Sequence, residues 1–326
     1  MLRVLITGAA GFLGTNLSLH YLSQGWEVVG VDDHSSSIGP NSPNVVTLGK
    51  FGSFELYEAS ITDDSIFERL RDEYRSFDLI LNFACPASPP RYMKMPIHTM
   101  MTCTLGLQNI LEFSLPYRCP IVHASTSEVY GDAELDPQPE SYWGNVNPYG
   151  PRGCYDNGKR AGESICYDYR NKYDSDVKVI RIFNTFGPCM DANDGRVVSN
   201  FICQALRNED LTIYGDGKQT RSFCYVDDLV DGISRVAAST RDFSGPVNLG
   251  NPDEFTMLEL AEKVLEVVPD STSKIVFRPL PKDDPRQRRP DITLARNAIG
   301  WEPKVSLLAG LYRSVGWFEQ FVTKKA

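Results

Sequence analysis

Leu2-Arg3-Val4-Leu5-Ile6-Thr7-Gly8-Ala9-Ala10-Gly11-Phe12-Leu13-Gly14 is the stretch on which the fold turns. Residues 2–7 form a short, almost unbroken apolar run, the composition of a strand buried on both faces of a parallel sheet. Gly8, Gly11 and Gly14 follow at once, and helical spacing of apolar residues runs over 14–24. A strand, a glycine turn and a helix in that order bring the backbone close to a bound phosphate. Gly8 permits the tight turn, Gly11 the approach of a pyrophosphate, and Gly14 the packing of helix on strand. The free N–H groups at the helix start then face the anion. Gly8, Gly11, Phe12, Leu13 and Gly14 are therefore expected to cradle a dinucleotide.

Further along, residues 27–32 read as a second strand ending in Asp32-Asp33. A carboxylate there accepts hydrogen bonds from the adenosine ribose hydroxyls and repels a 2′-phosphate, so Asp32, with Asp33 beside it, favours NAD over NADP. Strand patterns at 54–58, 79–83, 121–125 and 177–183 alternate with helical spacing at 64–74, 96–115 and 155–172. That alternation predicts an α/β chain, a Rossmann-type doubly wound parallel sheet. After Gly187-Pro188 the segments shorten, with turn signals such as Tyr214-Gly215-Asp216-Gly217 and a polar, proline-flanked stretch at 279–290. We expect residues 1–188 to form the NAD-binding domain. Residues 189–326 should mainly form a smaller C-terminal, substrate-binding lobe that returns a strand and a helix to the sheet.

A net charge of -9 over 326 residues argues against nucleic acid as the main partner, because phosphate backbones select basic faces. No segment approaches the roughly 18 apolar residues of a membrane span. Residues 1–6 are too short for a signal-peptide core and run straight into the glycine turn. No membrane partner and a cytoplasmic location are the expectation. The 8 cysteines contain no C-x-x-C pair and the 4 histidines no ligand spacing, which predicts reduced thiols and no protein-bound metal.

The chemistry points to two clusters. The strand at 121–125 runs into Thr126-Ser127-Glu128-Val129-Tyr130-Gly131, and Tyr155 and Lys159 share one face of the helix that follows. A Tyr/Lys pair at this spacing is common in helices. Joined to the glycine turn and a threonine at a strand end, it describes a hydride-transfer site. Tyrosine titrates near ~10, too high for a base at neutral pH. A neighbouring ammonium and a positive nicotinamide ring would both favour the phenolate. Thr126 would hydrogen-bond the same substrate hydroxyl.

These residues resemble the extended short-chain dehydrogenase/reductase family of nucleotide-sugar enzymes, and within it the UDP-glucuronate decarboxylases (UDP-xylose synthases). The likeness continues through Pro86-Ala87-Ser88-Pro89-Pro90, Tyr142-Trp143-Gly144-Asn145-Val146-Asn147-Pro148 and Arg181-Ile182-Phe183-Asn184-Thr185-Phe186-Gly187-Pro188. Asp194-Gly195-Arg196-Val197-Val198-Ser199-Asn200-Phe201, Gln219-Thr220-Arg221-Ser222-Phe223, Arg288-Arg289-Pro290-Asp291-Ile292 and Gly300-Trp301-Glu302-Pro303 complete it. The resemblance implies a carboxy-lyase with UDP-glucuronic acid as substrate, NAD as cofactor and a homodimer built on the helices at 96–115 and 155–172. It implies Thr126, Glu128, Tyr155, Lys159 and Arg288 in the chemistry. Asn184, Val198, Tyr214 and Arg221 are implied on the nucleotide, with Tyr92 and Ser127 near the sugar. Ser60, Ile61, Phe83, Ala84, Thr102, Thr185 and Arg196 are implied on the cofactor.

Enzymes of this kind first make a ketone at C4 of the sugar. With a carboxylate on C5 the product is a β-keto acid, which loses CO₂ once charge near the ketone oxygen is stabilised. The related 4,6-dehydratases carry an aspartic acid where this chain has Ser127, which cannot protonate a leaving hydroxyl. Arg288 is suited to a carboxylate because guanidinium binds both oxygens; otherwise it is a solvated charge in the basic run with Arg286 and Arg289. A UDP-apiose/UDP-xylose synthase, a 4,6-dehydratase and an NAD-binding regulator without turnover are the competing readings. The chain departs from the family pattern at Met101-Thr102-Cys103, where relatives usually carry Lys-Thr-Asn, at Cys85, where serine is common, and at Ser35-Ser36-Ser37-Ile38-Gly39, where a basic loop is usual. A looser cofactor site is the expected consequence.

Overall fold

The computed structural model describes residues 1–36, 39–279 and 287–322. Ser37 and Ile38 of the loop noted above, and Arg286, lie outside the described residues.

Six strands alternate with helices in the first part of the chain: β1 Arg3–Thr7, β2 Glu27–Asp32, β3 Phe54–Glu58, β4 Leu79–Asn82, β5 Ile121–Thr126 and β6 Val177–Ile182. Val247–Leu249 adds a seventh, giving the order Val247–Leu249, β6, β5, β4, β1, β2, β3. Every pairing in this sheet is parallel. Such strands are covered on both faces, which explains the continuous apolar runs: Val4, Leu5 and Ile6 of β1 are all fully buried. Val4 and Ile6 join one core and Leu5 the other, on opposite sides of the sheet.

The order reverses between β1 and β4, so the loops leaving the carboxyl ends of those strands diverge and open a crevice. Thr7 lies beside Val31 on one side and Asn82 on the other, which brings the Gly8 turn, Asp32 and Phe83 to one end of the sheet. At the same end, Thr126 of β5 pairs with Ile182 of β6.

Beyond the sheet, three small two-stranded pairings build a separate layer, including Leu211–Tyr214 with Ile275–Arg278 and Thr220–Ser222 with Glu254–Thr256. The fully buried Trp301 ties this part to the helix Val226–Ala238, its Nε1 donating to the Asp228 carbonyl at 2.9 Å.

The helical spacing at 96–115 predicts one helix. The structure divides it into Pro96–Met101, a π-helical turn Thr102–Gly106 and Leu107–Ser114. Thr102 and Thr104 donate their hydroxyls to the carbonyls of His98 and Met100, at 2.8 and 2.9 Å, a pairing that loosens the regular ladder. Two short helices, Pro43–Leu48 and Pro89–Lys94, were not anticipated, being too brief for periodicity to register.

Candidate active site

The helix Phe12–Ser23 begins at Gly11 with no side-chain cap, so its first N–H groups remain available at the wall of a cavity formed by Gly11, Phe12, Leu13 and Gly14. The glycines are required by space. A Cβ on Gly14 would sit 1.9 Å from the Gly8 carbonyl oxygen, and one on Gly8, which has φ +71, would sit 2.7 Å from that of Phe83. Asp32 closes the cavity, accepting from the N–H groups of Ala10 and His34 at 2.9 and 2.8 Å. Burial pushes its carboxyl up in spite of those two bonds. An uncapped helix start, a glycine cradle and an acceptor at the next strand end fit a dinucleotide.

This cavity joins a larger cleft of about 500 Å³. Leu13, Phe83, Cys85, Met190 and Arg196 border both spaces. Arg196 is held by Asp194, with one N–O distance of 3.0 Å. Among the described residues, Asp33, Ser60, Ile61, Ala84 and Thr102 form no part of either wall. Asp33 faces His98 at 3.3 Å, Ser60 bonds Thr62 at 2.9 Å, Ile61 is core, and the Ala84 N–H lies 3.3 Å from Thr7 Oγ1. Thr102 turns its hydroxyl into its own helix.

At the sheet end of the cleft, β5 delivers Thr126 and the helix Gly153–Tyr173 delivers Tyr155 and Lys159, all three buried. The Thr126 hydroxyl faces the Tyr155 phenol from the end of β5. The Lys159 ammonium donates to the Ala124 carbonyl at 2.7 Å and lies 6.0 Å from the centre of the Tyr155 ring. The Tyr92 ring stacks on Tyr155 at 4.8 Å with only 2° between planes. Burial holds the Tyr155 phenol well above its ordinary value, against the opposing influence of the Thr126 hydroxyl. From sequence, Lys159 is expected to take a larger share in ionising this phenol. Its ammonium donates to Ala124, and burial governs the phenol, which on the protein's own groups stays protonated at neutral pH.

Glu128, two residues beyond Thr126, is gripped by two guanidinium groups. Arg288 binds both of its oxygens, with Nη2 to Oε2 at 2.7 Å, and Arg152 binds Oε2 as well. Burial alone would raise the Glu128 carboxyl, but Arg288 and Arg152 outweigh it and bring it down to about 2. Ser127 Oγ lies 3.4 Å from Arg288 Nη1. Arg288 is thus no surface charge, and the fork assigned to a substrate carboxylate already holds Glu128. Sequence reasoning missed Arg152 and Asp156. Asp156 lies 3.8 Å from Arg152 Nε, and burial and Glu128 push its carboxyl up to about 7 in spite of Arg152 and Arg288. Their spacing from Tyr155 and Lys159 on one helix was the available signal.

Toward the far lobe the cleft is bordered by Asn184, Thr185, Val198, Tyr214 and Arg221. Val198 is buried and Tyr214 is 48% exposed, so an apolar floor meets a partly open aromatic edge. Arg221 donates to the Thr220 carbonyl at 2.7 Å. At the opposite, sheet end of the cleft two of the departures from the family pattern meet: Cys85 and Cys103 bring their sulfurs to 3.3 Å beside the Tyr155/Lys159 pair.

The family model of the NAD dependent epimerase/dehydratase family matches residues 4–250. UDP-glucuronic acid decarboxylase 4 of Arabidopsis thaliana is 46% identical over 322 residues, 99% of this chain and 70% of that protein. UDP-glucuronic acid decarboxylase 1 of Danio rerio is 46% identical over 324 residues, 99% of this chain and 74% of that one. Among solved structures, UDP-glucose 4-epimerase from Thermotoga maritima superposes with a TM-score of 0.87 at 28% identity, covering 98% of this chain and 99% of that one. UDP-glucuronic acid 4-epimerase from Bacillus cereus, in complex with UDP-glucuronic acid and NAD, gives 0.85 at 25%, covering 98% and 100%. The chain belongs to the NAD dependent epimerase/dehydratase family and, within it, to the UDP-glucuronic acid decarboxylases.

Proposed function

We propose that this chain decarboxylates UDP-glucuronic acid to UDP-xylose, with NAD reduced and reoxidised within one turnover. The observation that carries the reading is the Glu128–Arg152–Arg288 cluster in the cleft that also holds Thr126, Tyr155 and Lys159. It joins an oxidation site to a site for handling a carboxylate.

The positive charge of bound NAD would favour the phenolate that burial disfavours, the phenolic proton leaving to solvent; as phenolate, Tyr155 Oη accepts the proton of the sugar 4-hydroxyl while Thr126 hydrogen-bonds the same oxygen. The Gly8 turn, Asp32 and Arg196 would hold NAD, which when bound would supply a positively charged hydride acceptor able to return the hydride. Oxidation at C4 makes a β-keto acid, and Arg288 and Arg152 orient its carboxylate. Glu128, held ionised, sits beside that group and disfavours a second negative charge. Departure of neutral CO₂ relieves this repulsion as charge moves to the ketone oxygen, where Thr126 and the protonated Tyr155 receive it. Tyr155 finally returns its proton to O4. Ser127 has no acidic proton to offer a leaving hydroxyl, which speaks against dehydration.

Asn184 and Arg221 are assigned to the diphosphate, Val198 and Tyr214 to the uracil, and Tyr92 to the sugar ring, mainly from the lobe of residues 189–326. Asp32, Thr185 and Arg196 contact the cofactor, with Asp33, Ser60, Ile61, Ala84 and Thr102 in support. Two copies pair through the helices at 96–115 and 155–172, a reading supported by exposed apolar groups there, Ile97 at 76% and Tyr167 at 69%. A reducing, cytoplasmic setting is supported by 8 unpaired cysteines. Among the described residues no helix is long and apolar enough to cross a membrane.

The test is incubation of the purified protein with UDP-glucuronic acid and NAD⁺, the products identified by NMR. UDP-xylose and CO₂ without net NADH are expected. UDP-apiose, or no consumption of UDP-glucuronic acid, would defeat the reading.

A further inference from the structure

Loss of CO₂ leaves an electron pair at C5 that must end as a C–H bond, and the groups named so far do not provide its proton. Tyr155 holds the proton owed to O4. Glu128 is locked as a carboxylate by Arg288 and Arg152. Guanidinium groups do not release protons near neutral pH.

Behind the cluster lies a second cavity of about 390 Å³, and Glu128, Arg152 and Arg288 form the partition between it and the sugar cleft. Asp156 opens onto this cavity, with only 8% of its surface exposed. Its Oδ1 is buried and has no hydrogen-bond partner, and neither has the buried Tyr92 hydroxyl, on a side chain that borders the sugar cleft. A buried oxygen without a donor suits a protonated carboxyl. Two such orphans on either side of one partition are places where water completes the network.

We infer that Asp156 stores the proton that ends on C5 of the sugar, delivering it through water to the position that CO₂ vacates beside Tyr92. The inference rests on the decarboxylation reading. The Asp156 O–H bond breaks, a C5–H bond forms at the end of the hydrogen-bonded chain, and the pair left by CO₂ becomes that bond. Asp156, now a carboxylate, regains a proton from solvent through the second cavity. No oxidant or reductant takes part. The groups facing Asp156 are Glu128 from the turn after β5, Arg152 at the start of its own helix, Arg288, and Tyr92 from the helix Pro89–Lys94. Asp132 borders the same cavity. Their balance leaves the Asp156 carboxyl at about 7, so in neutral solution it exchanges between the protonated and the ionised form and is able to recharge.

Turnover in D₂O separates this role from a structural one, because C5 of the product carries two distinguishable hydrogens. Wild type is expected to place deuterium in one of the two positions. Asp156→Asn should scatter it over both, slow turnover by about tenfold or more, and lose the fall in rate above neutral pH. Tyr92→Phe, which keeps the ring stacked on Tyr155, should scatter the label too, and it stands as the second variant should Asp156→Asn not fold. Single-position labelling with an unchanged pH profile in Asp156→Asn overturns the inference while leaving decarboxylation intact; with only Tyr92→Phe folded, single-position labelling there does so. A wild type that makes no UDP-xylose overturns both.

Discussion

Replacing Glu128 with glutamine keeps its shape and removes its charge. Glu128 is held at about 2 where an ordinary glutamate titrates at 4.5. With each pH unit of depression worth about 1.4 kcal/mol, the ionised form gains about 3 kcal/mol from folding. Because the folded value is the lower one, this stabilisation is complete above the unfolded value and fades as pH falls toward the folded one. The gap in stability between wild type and Glu128→Gln should therefore be about 3 kcal/mol at pH 7 and about 2 kcal/mol at pH ~3.5. Urea unfolding of both proteins at the two pH values measures the gap, and taking the difference cancels the titrating groups that Glu128 does not influence, Asp156 being the one nearby carboxyl whose titration it shifts. Turnover should fall by about 100-fold or more, since neither the carboxylate repulsion nor the orientation of Arg288 survives. A gap below about 1 kcal/mol at pH 7, or one that widens on acidification, would refute the view that Glu128 is ionised between its two arginines.

Tyr155→Phe keeps the stack on Tyr92 and removes the proton acceptor, so single-turnover NADH formation should drop by about 100-fold or more while NAD binding is unchanged; near-normal hydride transfer would remove Tyr155 from its role. Gly14→Ala drives a methyl to 1.9 Å from the Gly8 carbonyl, so the turn must shift. We expect a stability loss of at least about 2 kcal/mol and weaker NAD binding, and unchanged NAD titration would contradict the cradle. The Cys85 and Cys103 sulfurs, 3.3 Å apart, should close to a disulfide under hydrogen peroxide, each equivalent of peroxide leaving as water. Mass spectrometry should find about 2 Da lost from that peptide pair and restored by dithiothreitol; no such loss in wild type, or its persistence in Cys103→Ser, would show that these thiols do not pair.

Local patterns were enough to place the sheet and half of the site. Strand 2–7 is apolar because β1 is covered on both faces, and Gly11 and Gly14 are required by contacts with Gly8 in the same turn, while Gly8 is required by its φ and by Phe83 of the neighbouring strand end. Tyr155 and Lys159 were legible for the same reason, being neighbours on one helix. The carboxylate-handling end is different. Arg288 meets Glu128 across 160 positions of chain, and only the folded molecule shows that its fork is already occupied.

Gln138 carries that point furthest. It is almost fully buried, 1% exposed, and no motif marks it. Its N–H donates to the Arg289 carbonyl at 2.9 Å, and its side-chain oxygen accepts the Arg289 N–H at 2.8 Å. The strip carrying Arg288 is thereby clipped on both edges, and Asn248 at the sheet end fastens the same strip through its bonds to Gln138 and Asp291, at 2.9 and 3.0 Å. Asn248 also accepts from Tyr130, which stands two residues after Glu128. The two partners of the ion pair are therefore registered against each other through one buried polar network. A buried network of this kind holds geometry only when its members are satisfied together. A reading that weighs residues one at a time finds the charges of Glu128 and Arg288 but not the neutral amides that make them meet.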